Sequence, residues 1–173
     1  MGVHHYKVEL VPRAHFESRG LPIPPAITEG EMEQGQSLVS GWWAAHPPSS
    51  QLLSGLRSLL PLDKSWGETE EFVSTDDWGS DVRIWKENGK VWSITFRFSP
   101  VVDGWPLLRQ VLSFAQSEKC LLLEVESGTV LEPDEKSLRE RLLASQAMRF
   151  VRDPMGTILK TARTLRHDGG DVP

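Results

Sequence analysis

Cysteine is nearly absent from this 173-residue chain, in which Cys120 stands alone. A single thiol excludes an internal disulfide and a multi-cysteine zinc site, so we expect a reducing compartment. No apolar run reaches the roughly 20 residues that a helix needs to cross a bilayer. The N-terminus lacks the basic segment and apolar stretch of a secretory signal. We therefore expect a cytoplasmic protein that does not contact membranes.

Catalytic signatures are also missing. The sequence contains no P-loop, no dinucleotide-binding glycine motif, no nucleophile elbow and no H-E-x-x-H zinc motif. None of the five histidines lies at a metal-ligand spacing from another histidine or from the cysteine. The formal net charge of −5 argues against a nucleic-acid-binding surface, which requires concentrated positive charge. We expect no enzymatic activity, no cofactor, no bound metal and no nucleic-acid partner.

The composition is that of a globular protein, with 39% hydrophobic and 25% charged residues. The length suits one hydrophobic core, so we predict a single domain over residues 1–173. Residues 13–35 are rich in Pro, Gly and Glu without sustained periodicity, which predicts a long loop. The Gly- and Asp-rich tail, residues 167–173, is predicted to be disordered.

The chain is organised around a predicted hairpin over residues 81–99, with its turn at Asn88-Gly89. A two-residue turn there pairs Trp85 with Trp92. Strand alternation then predicts a buried aromatic face. That face consists of Trp85, Trp92, Ile94, Phe96 and Phe98, and the opposite face of Val82, Ile84, Val91, Ser93, Thr95 and Arg97.

The remaining elements complete an α+β prediction. Strands are predicted at residues 6–11, 71–75 (as an edge strand) and 120–125, the last forming a second hairpin with residues 129–131. Five helices are predicted. The first spans residues 36–45, the second starts after a cap at Ser49 or Ser50, and the third, residues 105–119, covers the aromatic face. The fourth starts after Pro133, and the fifth spans residues 155–165. We predict a mainly antiparallel sheet with two hairpins and helices packed on one side.

A run of acidic residues precedes the hairpin, and residues 65–82 contain no Lys or Arg. Its members are Glu68, Glu70, Glu71, Asp76, Asp77 and Asp81, with Trp78 among them. Such carboxylates can bind a divalent cation, bind a basic partner, or keep a surface loop soluble, and the spacing does not decide among these. We take the six acids and Trp78 as candidate partner-binding residues.

Several segments carry a family resemblance. They are Trp42-Trp43, Trp78-Gly79-Ser80-Asp81, the hairpin, Gly104-Trp105-Pro106-Leu107-Leu108 and Phe150-Val151-Arg152-Asp153-Pro154, within residues 6–155. The chain resembles a bacterial polymorphic-toxin immunity protein, and its length and Trp-rich α+β pattern are most similar to the immunity protein 52 family. Members of that family are encoded beside secreted toxins with a restriction-endonuclease-like nuclease domain, which they neutralise by direct binding.

The resemblance implies a non-enzymatic inhibitor of a cognate toxin, in a polymorphic-toxin setting such as type VI secretion, and it contributes no catalytic residues. The missing catalytic motifs, the acidic run and the seven tryptophans agree with such a protein. Two alternatives remain from other classes. One is a small metal-dependent hydrolase that uses the acidic run, and the other is a structural or adaptor module.

Overall fold

The computed structural model describes residues 5–27, 42–76, 79–101 and 104–156, except the side chains of residues 64–66. The strands in these residues are β1 Tyr6–Pro12, β2 Leu62–Trp66, β3 Thr69–Val73, β4 Asp81–Glu87, β5 Lys90–Phe98, β6 Cys120–Glu124 and β7 Thr129–Leu131. The helices are α1 Ala14–Glu17, α2 Trp42–Ala45, α3 Ser50–Arg57, α4 Gly104–Ser117, α5 Glu135–Ala144 and α6 Gln146–Arg152. Residues 28–41, most of the predicted helix at 155–165 and the tail at 167–173 lie outside the described residues.

The seven strands form one antiparallel sheet in the order β2-β3-β4-β5-β1-β6-β7. β1 lies in the interior, where Val8 is opposite Phe96 of β5 on one side and Glu124 of β6 on the other. The β4–β5 and β6–β7 hairpins are both present. The predicted α+β class with a mainly antiparallel sheet is confirmed.

One face of the sheet, the core face, carries most of the buried side chains. Its members include Val8, Leu10, Phe72, Val82, Ile84, Ile94, Phe96 and Leu122, all at most 4% exposed. Helices α3 and α5 lie on this side, because Arg57 of α3 binds Glu70 beside Ile84, and Arg141 of α5 binds Glu124. Side chains of this face alternate with those of the opposite face, as strand geometry requires.

Two of the helices begin and pack as the sequence predicts. Ser49 caps α3, since its Oγ accepts the N–H of Leu52 at 2.9 Å. Helix α4 buries Leu107, Leu108, Val111, Leu112 and Ala115. It packs against β5 and β6.

The β4–β5 hairpin has the predicted turn but a different register. Asn88 and Gly89 have φ angles of 51° and 75°, which a two-residue hairpin turn requires. A β-bulge at Trp92 follows the Lys86–Val91 pair, so Trp85 lies opposite Ser93 rather than Trp92. The predicted aromatic face is therefore wrong, because Val82 and Ile84 join Ile94, Phe96 and Phe98 on the core face while Trp85 points away and is 46% exposed.

Two further predictions are corrected. The strand predicted at the edge of the sheet, β3, lies between β2 and β4, and β2 forms the edge. β2 has a polar sequence, Leu-Asp-Lys-Ser-Trp, that gives no strand pattern on its own. The predicted loop at residues 13–35 contains the short helix α1, and residues 25–27 pair with β7 through an Ala26–Thr129 bridge.

The described residues cover the face opposite the core face only in part. Over β1 it carries Glu9, whose Oε1 accepts the indole N–H of Trp42 at 3.2 Å. Trp42 is fully buried and contacts Phe16 of α1, with ring centroids 5.9 Å apart. Helices α1 and α2 thus cover this region. None of the helices in the described part of the chain has the length and apolar character needed to cross a bilayer.

Candidate functional site

Among the described residues, α2 contacts β5 as well as β1, and the second face is least covered over β3, β4 and the adjoining residues of β5, which we call the open face. Strand alternation and the observed register place the same set of residues there. Its members are Glu71, Asp81, Arg83, Trp85, Ser93, Thr95 and Arg97, with Trp92 at the bulge. The open face therefore combines an exposed aromatic group with charged groups of both signs.

Trp85 is the most exposed aromatic group of this surface, at 46%. Its ring meets that of Trp92 edge-on, with centroids 6.2 Å apart and an interplanar angle of 61°. This arrangement suits the aromatic quadrupole and fixes the position of the exposed ring. The sequence predicts Trp85 in the core, whereas in the structure the side chain is exposed to solvent.

Two carboxylates and two guanidinium groups alternate beside the tryptophans. Arg83 donates to Glu71 Oε1 from Nε at 2.9 Å and from Nη2 at 2.6 Å. Arg97 donates from Nε to Asp81 Oδ2 at 2.5 Å, and its Nη2 lies 3.7 Å from Glu71 Oε1. The formal charges of these four groups cancel. Glu71 and Asp81 do not form a negative surface, because the cations of β4 and β5 neutralise them.

Asp81 is not available to a partner in this structure, because it is only 2% exposed. Its Oδ1 lies 3.6 Å from Arg83 Nε, beyond hydrogen-bond distance. Burial raises the pKa of the Asp81 carboxyl, and the charge and hydrogen bond of Arg97 oppose that change only in part. Asp81 therefore serves to position Arg97 rather than to bind a ligand.

Glu70 points to the other side of the sheet from Glu71. It accepts hydrogen bonds from Arg57 Nε at 2.7 Å and Nη2 at 2.9 Å, and it also binds Lys86. The hydrogen bond from Arg57 is the main reason that the pKa of Glu70 is lowered to about 2. This carboxylate ties α3 to the sheet, which is a structural role.

The two remaining described acids lie beyond opposite ends of β3. Glu68, in the β2–β3 turn, accepts the N–H of Gly89 at 3.2 Å and is exposed. Asp76 follows the C-terminal end of β3 and is also exposed. Asp77 and Trp78 lie outside the described residues. The structure thus separates the acidic run into buried, ion-paired and exposed members instead of bringing it together.

A second polar cluster borders a shallow cleft of about 370 Å³ at the β6–β7 end of the sheet. Glu124, 7% exposed, accepts hydrogen bonds from Arg141 Nη1 at 2.9 Å and from the Ser127 hydroxyl. Burial, reinforced by the charge of Glu124, raises the pKa of Glu126. Because Glu124 receives its donors from the chain itself, this cluster fastens α5 to the hairpin.

The described residues do not favour a metal site or a reactive cysteine. No group of three His, Cys, Asp or Glu side chains in the described ranges is arranged to hold a metal ion. Cys120 is buried, and burial raises its thiol pKa to about 12, which disfavours the nucleophilic thiolate.

Sequence reasoning missed Trp85 and Arg83 as members of this surface. The signal that could have found them is the position of the aliphatic residues in β4, because Val82 and Ile84 require the core face for themselves. Comparisons of the chain with protein-family models, with curated proteins and with solved structures found no match. The site must therefore be interpreted from its own chemistry.

Proposed function

We propose that this chain is a non-enzymatic immunity protein that acts in the cytoplasm by binding and neutralising a cognate secreted toxin, a nuclease. The observation that supports this proposal most is the open face, where the Trp85 side chain is 46% exposed. The resemblance of the sequence to immunity proteins suggests the class of partner. The open face suggests where that partner binds.

Trp85 has the properties of a binding anchor. Tryptophan is enriched among the residues that dominate interface energies, and it is most effective when neighbours already hold the ring in place. Trp92 contacts the ring edge-on, so Trp85 loses little rotational freedom when a partner covers it. An apolar patch on the toxin that covers Trp85 therefore gains affinity without a large ordering cost.

The charges around Trp85 suit a partner with basic groups. Arg83 and Arg97 are already paired with Glu71 and Asp81, so burying them requires no new counterion from the toxin. The exposed acids Glu68 and Asp76 lie beyond the two ends of β3. They can attract a basic surface, such as the nucleic-acid groove of a nuclease, by long-range steering.

The test is the affinity of the chain for a catalytically inactive form of the toxin domain encoded by the adjacent gene. Trp85→Ala should raise the Kd about 30-fold, the loss expected for a central aromatic anchor of about 2 kcal/mol. Leu143→Ala is the matched control, because Leu143 is 37% exposed on α5, away from the open face. If both variants bind as the wild-type chain does, the open face is not the interface. If the wild-type chain does not bind, the proposed function is wrong.

A further inference from the structure

The two edges of the sheet differ in how they are protected. At the β7 edge, residues 25–27 cover the strand. Ile27 donates its N–H to Gly128 O at 2.7 Å, and Val130 donates its N–H to Pro25 O at 3.0 Å. The chain thus closes this edge with its own backbone. At the β2 edge, no strand in the described residues pairs with the outer side.

Hydrogen bonding within β3 determines which groups of β2 point outward. Val73 donates its N–H to Pro61 O at 3.0 Å, so the odd-numbered residues of β3 bond towards β2. Lys86 donates its N–H to Glu68 O at 3.0 Å, so the even-numbered residues bond towards β4. Ser65 lies opposite the even-numbered Glu70. Because antiparallel pairs alternate, the N–H and C=O of Ser65 point away from the sheet.

The surroundings of this edge indicate what kind of chain can bind there. Leu62, at the start of β2, is 60% exposed. Beside it lies an open cleft of about 440 Å³, and the described side chains that line it include Asp63 and Asp76 but no cation. An extended segment that carries one apolar and one basic residue matches these features. The apolar residue covers Leu62, and the basic residue enters the cleft between the two carboxylates.

We propose that the toxin adds an extended segment of this chemistry to the outer edge of β2, so that the sheet continues into the partner. This mode of recognition uses main-chain hydrogen bonds for affinity and neighbouring pockets for specificity. It rests on the proposed function, because it assigns part of the same interface. The added strand lies next to β2 and is separated from β3 by that strand, so it also brings the toxin towards the border of the open face.

A second copy of the chain fits this edge less well. The β2 sequence places Asp63 and Lys64 next to each other, and a bulge interrupts the strand between Leu62 and Lys64. Charged residues and bulges are the means by which edge strands resist pairing with copies of themselves. A partner strand of a different sequence can complement both features.

The experiment compares Ser65→Pro with Ser65→Ala. Proline removes the outward N–H but leaves the bonds from β2 to β3, because Ser65 does not donate to β3. The Ala variant keeps the N–H and serves as the matched control. Binding of the inactive toxin domain should weaken at least about tenfold in the Pro variant, through the lost hydrogen bond and the obstructing ring, and remain near wild type in the Ala variant. Thermal unfolding of both variants checks that β2 still forms.

Two further measurements complete the test. In the complex, the Ser65 amide should become protected from hydrogen exchange, and Asp76→Lys should slow association, with a smaller effect at high salt. If Ser65→Pro binds normally and the amide stays unprotected while Trp85→Ala loses affinity, the edge proposal fails and the proposed function stands. If the isolated chain is a dimer that Ser65→Pro dissociates, the occupant is a second copy and the edge proposal is wrong. If the wild-type chain does not bind the toxin, both fail together.

Discussion

Glu9 offers a quantitative test of how the second face is covered. This carboxylate lies on β1 between Thr95 and Leu123, and its Oε1 accepts the indole N–H of Trp42 at 3.2 Å. Burial raises the pKa of Glu9 from an ordinary 4.5 to about 7, although the Trp42 hydrogen bond and the charge of Lys7 act in the opposite direction. The folded protein therefore holds this proton more tightly than the unfolded chain.

The sign and size of the effect follow from proton linkage. Since the folded pKa is raised, the contribution of Glu9 to stability is highest below pH 4.5 and is lost as pH rises through 7. Raising the pKa from 4.5 to about 7 costs about 3 kcal/mol of stability above pH 7, because each tenfold change in proton affinity is worth about 1.4 kcal/mol. Glu9→Gln keeps the shape and the acceptor for Trp42 but removes the titration. The variant should equal the wild type near pH 4.5 and exceed its unfolding free energy by about 3 kcal/mol at pH 8.

Urea unfolding at pH 4.5, 6 and 8 measures this difference directly, and thermal unfolding at pH 8 should show a rise in Tm of about 6–12 °C. Other titrating groups are common to both proteins and cancel in the comparison. Glu87→Gln is the matched control, because it makes the same substitution at an exposed position on the β4–β5 hairpin. A Glu9→Gln effect that is the same at all three pH values would refute the reasoning, since it would show that Glu9 is not held in a desolvated site.

Two other substitutions test the ion pairs of the open face and the packing at the β7 edge. Arg97→Met should lower the unfolding free energy by about 3 kcal/mol, because it leaves the 2%-exposed Asp81 without its closest partner. The double variant Arg97→Met/Asp81→Asn should recover part of that loss. If the single and double variants are equally stable, a buried charge is not the cause. Gly128→Ala should destabilise by more than the roughly 1 kcal/mol expected of Gly67→Ala. Both glycines have positive φ, but a Cβ at Gly128 would lie 2.0 Å from Ile27 O, whereas one at Gly67 meets nothing within 4 Å. Equal losses in urea unfolding would show that residues 25–27 do not hold the β7 edge.

Local signals in the sequence predict local features well. The Asn88-Gly89 turn and the Ser49 cap each depend on a few neighbouring residues, and both are present. Which acids of the run are ion-paired depends instead on other parts of the chain. Glu70 pairs with Arg57 of α3 and Glu71 with Arg83 of β4, and the spacing within the run does not predict either pair. A count of charges along the sequence could not separate neutralised acids from exposed ones.

Trp85 is exposed because the apolar pattern of β4 and β5 does not match the register that the two-residue turn sets. β4 and the part of β5 after Trp92 place their aliphatic and phenyl residues at even-numbered positions, and these must share the core face. A two-residue turn at Asn88-Gly89 pairs each even position of β4 with an odd position of β5, which would put the two apolar sets on opposite faces. One extra residue in β5 resolves the conflict, and the bulge supplies it beside Trp92. The core then takes Ile84, and Trp85 is left on the outside, so the bulge creates the open face.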